Sequence, residues 1–215
     1  WNGWYRRILI KDLRCGISDK SINSATKKAG KEEFNVPVFT CQLAHDGANH
    51  ESKITGQKQI EVKLDGVRVL TIVYPDGRVD QFSRNGKELV NFPHIREQFS
   101  KLAKDLDEAM VFDGEVMSSS FQDLMKQVHR KDNVQAQDAI LYLFDWLTLK
   151  EFDEGRSDIA QLNRSNLLAQ FLKPYGFESI QQLGFEFVNL DNEQGQTRFA
   201  EINADAIKNG YEGIM

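Results

Sequence analysis

Lys63 stands between two acids, Glu61 and Asp65, in the run Glu61-Val62-Lys63-Leu64-Asp65-Gly66-Val67-Arg68. On a strand these three side chains share one face. Such a row is either a surface ladder of ion pairs or an amine set among carboxylates at a site, where it could act as a nucleophile. Three further acidic stations bear on that choice. Val111-Phe112-Asp113-Gly114-Glu115-Val116-Met117 puts two carboxylates on one face of an apolar strand, Phe144-Asp145 lies in a strand too hydrophobic to be exposed, and Glu212-Gly213-Ile214-Met215 repeats the acid-glycine-aliphatic pattern. Charges on strands otherwise made of core residues point to a charged cleft in a folded sheet. The residues alone leave two chemistries open there: attack by an amine, or metal-dependent phosphodiester cleavage by Asp113, Glu115 and Glu212. His45, His50, His94 and His129 have neither metal-ligand spacing nor a paired nucleophile.

The elements that must carry these residues follow from periodicity. Ile60, Val62 and Leu64 alternate with Glu61, Lys63 and Asp65, which predicts a strand from Gln59. Val67 to Tyr74 and Arg78 to Ser83 flank Pro75-Asp76-Gly77, a hairpin turn. Ala109 to Met117 and the strongly apolar Ala139 to Leu147 read as strands, as do Glu186 to Leu190 and a last one from Gly210. Helices are predicted over 4–13, from Ser18 or Asp19 to Ala29, over 94–108, after a Ser118–Ser120 cap to about His129, over 157–173, and from Glu193 to Lys208. Residues 31–57 read as a connection into a new domain. Hairpins mixed with helices imply an α+β fold with largely antiparallel sheets.

The 215 residues suffice for one sizeable core. Hydrophobic residues at 40% and only four prolines exclude a disordered or collagen-like chain. The longest unbroken apolar run, Ala139 to Phe144, is far too short to span a membrane, and the opening Trp1-Asn2-Gly3-Trp4 has no signal-peptide pattern. Cys15 and Cys41 make neither a disulfide framework nor a metal set, so a reducing, cytoplasmic setting is expected. Net charge is −5, but residues 1–58 hold ten Lys/Arg against six Asp/Glu, net +4, and the remainder is −9. A basic arm on an acidic body suits a phosphate backbone; its other reading is a solvated helix face.

The ordered patterns K-x-D-G-x-R (63–68), S-R-x-G (83–86), D-G-E (113–115), F-D-x-L (144–147) and E-G-I-M (212–215) resemble the covalent nucleotidyltransferase superfamily, and within it the ATP-dependent DNA ligases of phages, archaea and eukaryotes. The intervals fit: 52 residues from Lys63 to Glu115 and 67 from Asp145 to Glu212. Trp4-Tyr5-Arg6-Arg7-Ile8 with Lys11-Asp12-Leu13-Arg14-Cys15-Gly16-Ile17-Ser18 is similar to the end of the helical DNA-binding domain of these ligases. The resemblance implies an ATP-grasp-like adenylation domain of antiparallel sheets with flanking helices at 58–215, preceded by DNA-binding helices at 1–33 and a connection at 34–57. Both ends read as cut, the last nucleotidyltransferase motif and the OB-fold domain being expected after Met215.

What the resemblance implies for individual residues is as follows. Lys63 is the nucleophile that takes AMP from ATP, passes it to the 5′-phosphate of a nick and lets the 3′-hydroxyl displace it. A free lysine titrates near ~10.4, so the attacking amine needs cations to offset Glu61 and Asp65. Glu61 recognises the adenine edge, Arg68 and Arg84 contact phosphate and ribose, and Phe144 stacks on the base. Alternation over Ile140-Tyr142-Phe144-Trp146 leaves a core role for Phe144 equally open. Glu115 accepts from ribose or holds metal, and Glu212 binds the divalent ion, Mg²⁺ or Mn²⁺. Asp113 is left as a strand buttress and Gln42-Leu43-Ala44 as structural support. The expected partner is nicked double-stranded DNA, without membrane, and the expected state a monomer. An RNA ligase, a capping-type nucleotidyltransferase and a non-catalytic nick-binding module are the competing readings.

Overall fold

The computed structural model describes residues 16, 19–34, 39, 41–118 and 136–215. The helix expected over 4–13 and most of the one expected after Ser118 lie outside these residues. The chain divides into two compact units, Trp1–Thr40 and Cys41–Met215.

In the first unit, α1 (Asp19–Ala29) ends at Gly30, whose φ of 64° is left-handed. Lys31 N–H bonds to Thr26 O and Gly30 N–H to Lys27 O, the crossed pair that closes a helix at a glycine.

Two sheets make the second unit. One has the order β7-β1-β8, from β1 (Gln57–Lys63), β7 (Phe185–Asn189) and β8 (Gly213–Ile214). β1 changes partner along its length: Gln57 to Glu61 run antiparallel to β7, and Val62 and Lys63 antiparallel to β8. The other sheet has the order β3-β2-β4-β5-β6, from β2 (Val67–Val73), β3 (Val79–Ser83), β4 (Met110–Met117), β5 (Ile140–Thr148) and β6 (Ile180–Gln182). Its pairs are antiparallel except β5–β6, which is parallel. The expected α+β architecture is therefore present, with one parallel pair that periodicity did not reveal.

The sequence dictates most of this locally. β2 reads Val-Arg-Val-Leu-Thr-Ile-Val, and its residues 69–73 are all buried, as suits a strand flanked by β3 and β4. Helix α2 (Pro93–Leu102) starts with proline in its first turn and buries Ile95, Phe99 and Leu102, one face of the helix, in the main core. The expected helix over 94–108 stops early; Ala103–Asp105 tightens into a 3₁₀ turn and Leu106 is extended. The expected helix over 157–173 is shorter too. A helix α3 (Leu149–Glu154) precedes it, with Thr148 and Glu151 capping each other reciprocally and Gly155 closing it at φ 66°. Helix α4 (Gln161–Leu172) then begins after Ala160, whose backbone is extended. Helix α5 (Glu193–Lys208) has the expected bounds, with Asn192 capping Gly195 N–H. A smaller core of Ile60, Val188 and Leu190 packs with Phe199 and Ile202 of α5. Among the described residues no helix is long and apolar enough to cross a membrane.

Glycine at 114 is a packing requirement of β4. A Cβ there would lie 2.5 Å from Tyr142 O and 2.9 Å from Leu141 Cδ1. Gly114→Ala should destabilise the chain by about 2–3 kcal/mol through this overpacking, read as a lower denaturant midpoint with unchanged slope.

Candidate active site

The pairing of β1 with β8 brings Lys63 opposite Gly213, and Glu212 lies beside it. Lys63 Nζ donates to Glu212 Oε2 in an ion pair that is partly open to solvent. The backbone of Glu61 exchanges two 2.8 Å hydrogen bonds with that of Met215. The last motif and the first are thus held together by main chain.

β1 ends at Lys63, so Asp65 lies in the loop to β2 and does not continue the expected row. That loop is held against β4. Gly66 N–H donates to Glu115 Oε1 at 3.1 Å, and a Cβ at Gly66 would sit 2.3 Å from Val116 O. Only glycine brings the loop this close, which is the local reason for the Asp-Gly pair.

Arg68 stands opposite Glu115 in the β2–β4 register. Its Nε and NH2 donate to the two oxygens of Asp113 at 2.9 and 2.6 Å, and its NH1 donates to Gln42 O at 2.6 Å. The guanidinium carbon lies 5.3 Å from the centre of the Phe144 ring. Asp113, left as a strand buttress by the sequence reading, is therefore the group that orients Arg68, and Gln42 supports the same side chain. Two of the five guanidinium N–H groups remain for a ligand.

Phe144 owes its place to a β-bulge. Asp113 pairs with Asp145 and Gly114 with Leu143, so Phe144 has no opposite number. The extra residue breaks the alternation. Trp146 turns to the core, 5.7 Å from Phe112 and 5.1 Å from Phe171, while Phe144 is half-buried beneath Arg68. Of the two readings of this ring, the core role belongs to Trp146.

Glu61 is half-buried and accepts from Gln59 Nε2 at 2.6 Å. Burial pushes its carboxyl up, Gln59 opposes this, and Asp145 adds to the rise. Asp145 is in turn gripped by Arg164 of α4 through Nε at 2.8 Å and NH2 at 2.7 Å. Nothing in the sequence linked these residues: 19 positions separate them, and the pair depends on α4 crossing β5. Arg84 is exposed in the turn after β3, its carbonyl receiving the Cys41 thiol at 3.8 Å. Its charge opposes the rise that burial imposes on the Cys41 thiol.

Burial pushes the Glu115 carboxyl up to about 7, against the pull of Gly66 N–H and Arg68. A raised carboxyl favours the fold in its protonated form. That contribution is complete below the ordinary value of 4.5 and is lost as pH rises through about 7. Relative to Glu115→Gln, the unsubstituted chain should lose on the order of 2 kcal/mol of stability between pH 4.5 and 8, measured by urea unfolding at each pH. Parallel curves would remove the assignment.

Among the described residues no group of three or more His, Cys, Asp or Glu could hold a metal ion. Glu115 is bonded to Gly66 and Glu212 to Lys63.

The model of the ATP dependent DNA ligase domain matches residues 41–215. A solved structure named Pmar-Lig_Pre is 52% identical with TM-score 0.84; the match covers 100% of this chain and 50% of that one. A DNA ligase of Caldivirga maquilingensis is 28% identical over 176 residues, 76% of this chain and 27% of that protein. The ATP-dependent DNA ligase of bacteriophage T7, solved with ATP, is 18% identical with TM-score 0.55 over 81% of this chain and 60% of that one, a likeness of fold. The chain thus spans half the length of Pmar-Lig_Pre and about a quarter of the Caldivirga protein. A match that starts at Cys41, where the second compact unit begins, and runs to Met215 makes the chain a member of the ATP dependent DNA ligase domain family.

Proposed function

We propose that the protein carrying this chain is an ATP-dependent DNA ligase that seals nicks in duplex DNA during replication, repair or recombination. Lys63 Nζ attacks the α-phosphorus of ATP. A P–N bond forms, the P–O bond to pyrophosphate breaks, and the amine proton leaves. The AMP then moves to the 5′-phosphate of the nick, freeing Lys63, and the 3′-hydroxyl displaces AMP as the new phosphodiester forms.

The observation that carries this reading is that separate stretches of chain meet around the end of β1 and the start of β2. Lys63 ends β1, Glu212 pairs with it, Gly66 ties the following loop to Glu115, and Arg68 lies over Phe144. The aromatic ring suits a base, and the remaining guanidinium donors of Arg68 suit phosphate. Glu61, half-buried on the Lys63 face of β1, suits the adenine edge, and Arg84 the ribose or phosphate. A divalent ion, Mg²⁺ or Mn²⁺, supplies charge neutralisation at the phosphates when bound, with Glu115 and Glu212 as its carboxylates. Residues 1–33 are proposed as the end of a DNA-binding domain, and the protein as a cytoplasmic monomer.

The test uses the parent protein with Mg²⁺ and α-labelled ATP or GTP, followed by a labelled nicked duplex. The expected result is a covalent adduct from ATP and a sealed strand. An adduct from GTP alone indicates a capping-type enzyme. Sealing confined to RNA substrates indicates an RNA ligase, and tight nick binding with no adduct from either nucleotide leaves a binding module.

A further inference from the structure

Gln59, Glu61 and Lys63 alternate on β1 and so share one face. Glu61 and Lys63 are accounted for by the proposed reaction; Gln59 is not. Its side-chain amide is nevertheless the most constrained group of the three. Nε2 donates to Glu61 Oε1 at 2.6 Å and to Ser165 Oγ at 3.2 Å. Ser165 is fully buried in α4, and its carbonyl accepts from Gln182 Nε2 of β6 at 2.8 Å. Gln59 Oε1 is buried and has no hydrogen-bond partner among the described residues. Turning the amide over would set this oxygen against the Glu61 carboxylate, acceptor against acceptor. The fold leaves one buried acceptor unpaired and keeps the NH₂ group on Glu61.

We propose that Gln59 is a positioning residue for nucleobase selection: anchored on Ser165, it fixes the Glu61 carboxylate so that the free oxygen accepts from an exocyclic amine and repels a carbonyl. This rests on the adenylation reading above. One oxygen of Glu61 is committed to Gln59, so the other must meet the ligand. An adenine amine donates to it, whereas the 6-oxo group of guanine or hypoxanthine presents a second acceptor, and an unsubstituted purine presents nothing. Anchoring matters because a carboxylate free to rotate could retreat from a wrong base; a fixed one charges the full mismatch. Arg164, one residue before Ser165, grips Asp145, so the same turn of α4 secures both β1 and β5.

The experiment measures adduct formation by the parent protein with ATP, inosine triphosphate and purine riboside triphosphate, which lacks the amine. Gln59→Met keeps the length of the side chain without its donor. It should lower the preference for ATP over purine riboside triphosphate about tenfold, the size of one lost hydrogen bond, with the loss in KM. Ser165→Ala removes only the anchor and should lower that preference by a smaller factor in the same direction. It carries the test should Gln59→Met fail to fold. A general structural fault would slow all three nucleotides equally and leave the ratios unmoved. Unchanged ratios in the folded variants overturn the proposal while the ligase reading stands. An unsubstituted protein that forms no adduct from any of the three overturns both.

Discussion

Lys63→Ala should abolish the covalent AMP adduct, with a loss of at least about a thousandfold in its rate of formation. The argument is chemical: neighbouring carboxylates cannot replace an amine in a phosphoramidate bond. It is also structural, because the substitution should cost little elsewhere. The ion pair it removes is partly open to solvent, with the Glu212 side chain 56% exposed, so its loss should change stability by about 0–1 kcal/mol. Lys63→Arg sharpens the test. A guanidinium can still pair with Glu212 but keeps its proton and cannot attack. It should therefore lack the adduct as fully as the alanine variant while holding nick affinity near that of the unsubstituted protein. Intact-mass measurement after incubation with ATP reads both variants. An adduct persisting in either, or mapped to another residue, overturns the assignment of the nucleophile and with it the roles given to its neighbours.

The largest effect on folding should come from Arg68→Ala. The side chains of Arg68 and Asp113 are 18% and 15% exposed and are joined by two short hydrogen bonds. Removing the guanidinium strands the Asp113 carboxylate in the sheet and also frees the Gln42 carbonyl from its donor. The expected cost is about 3–5 kcal/mol. Arg68→Lys should recover only part of it, since an ammonium cannot match both carboxylate oxygens and reach Gln42 at once. Replacing both partners by leucine should cost far less than the single change, because no charge is then left without a partner. Urea unfolding of these three variants and the unsubstituted chain tests this, and adding Arg68→Leu and Asp113→Leu singly completes the cycle that gives the coupling. A single Arg68→Ala change worth less than about 1 kcal/mol would show that the pair does not hold β2 to β4 in the way described.

How far the sequence could be read depended on whether each feature was local. The hairpin at Pro75-Asp76-Gly77 was visible because the turn chemistry lies within it: Gly77 has φ 92° and its N–H bonds to Tyr74 O. Helix α5 was legible because its start and end are local, with Asn192 capping Gly195 N–H and Lys208 in the last turn. The short helix α3 escaped because it is only six residues long, and its capping pair, Thr148 with Glu151, fell between the strand expected to Leu147 and the helix expected from 157. β6 escaped because Ile-Gln-Gln has no period to detect; what makes it a strand is the open edge of β5. The site divides the same way. Residue types and order pointed to Lys63, Glu61, Arg68, Arg84, Glu115, Phe144 and Glu212. The partners that hold them, Asp113 for Arg68, Gln59 for Glu61 and Arg164 for Asp145, are set by strand register and helix crossing, which one sequence does not print.

The unpaired residue at position 144 has a consequence for how this strand can change over time. Upstream of it Leu141 and Leu143 are buried, and downstream Trp146 turns to that same core. Between them the inserted residue hands one ring to the charged side. The ring at 144 can therefore vary without disturbing the interior, and the interior can drift without shifting that ring. Deleting a single residue here would reverse the facing of everything that follows, so variation by substitution is open to this strand while variation by length is closed.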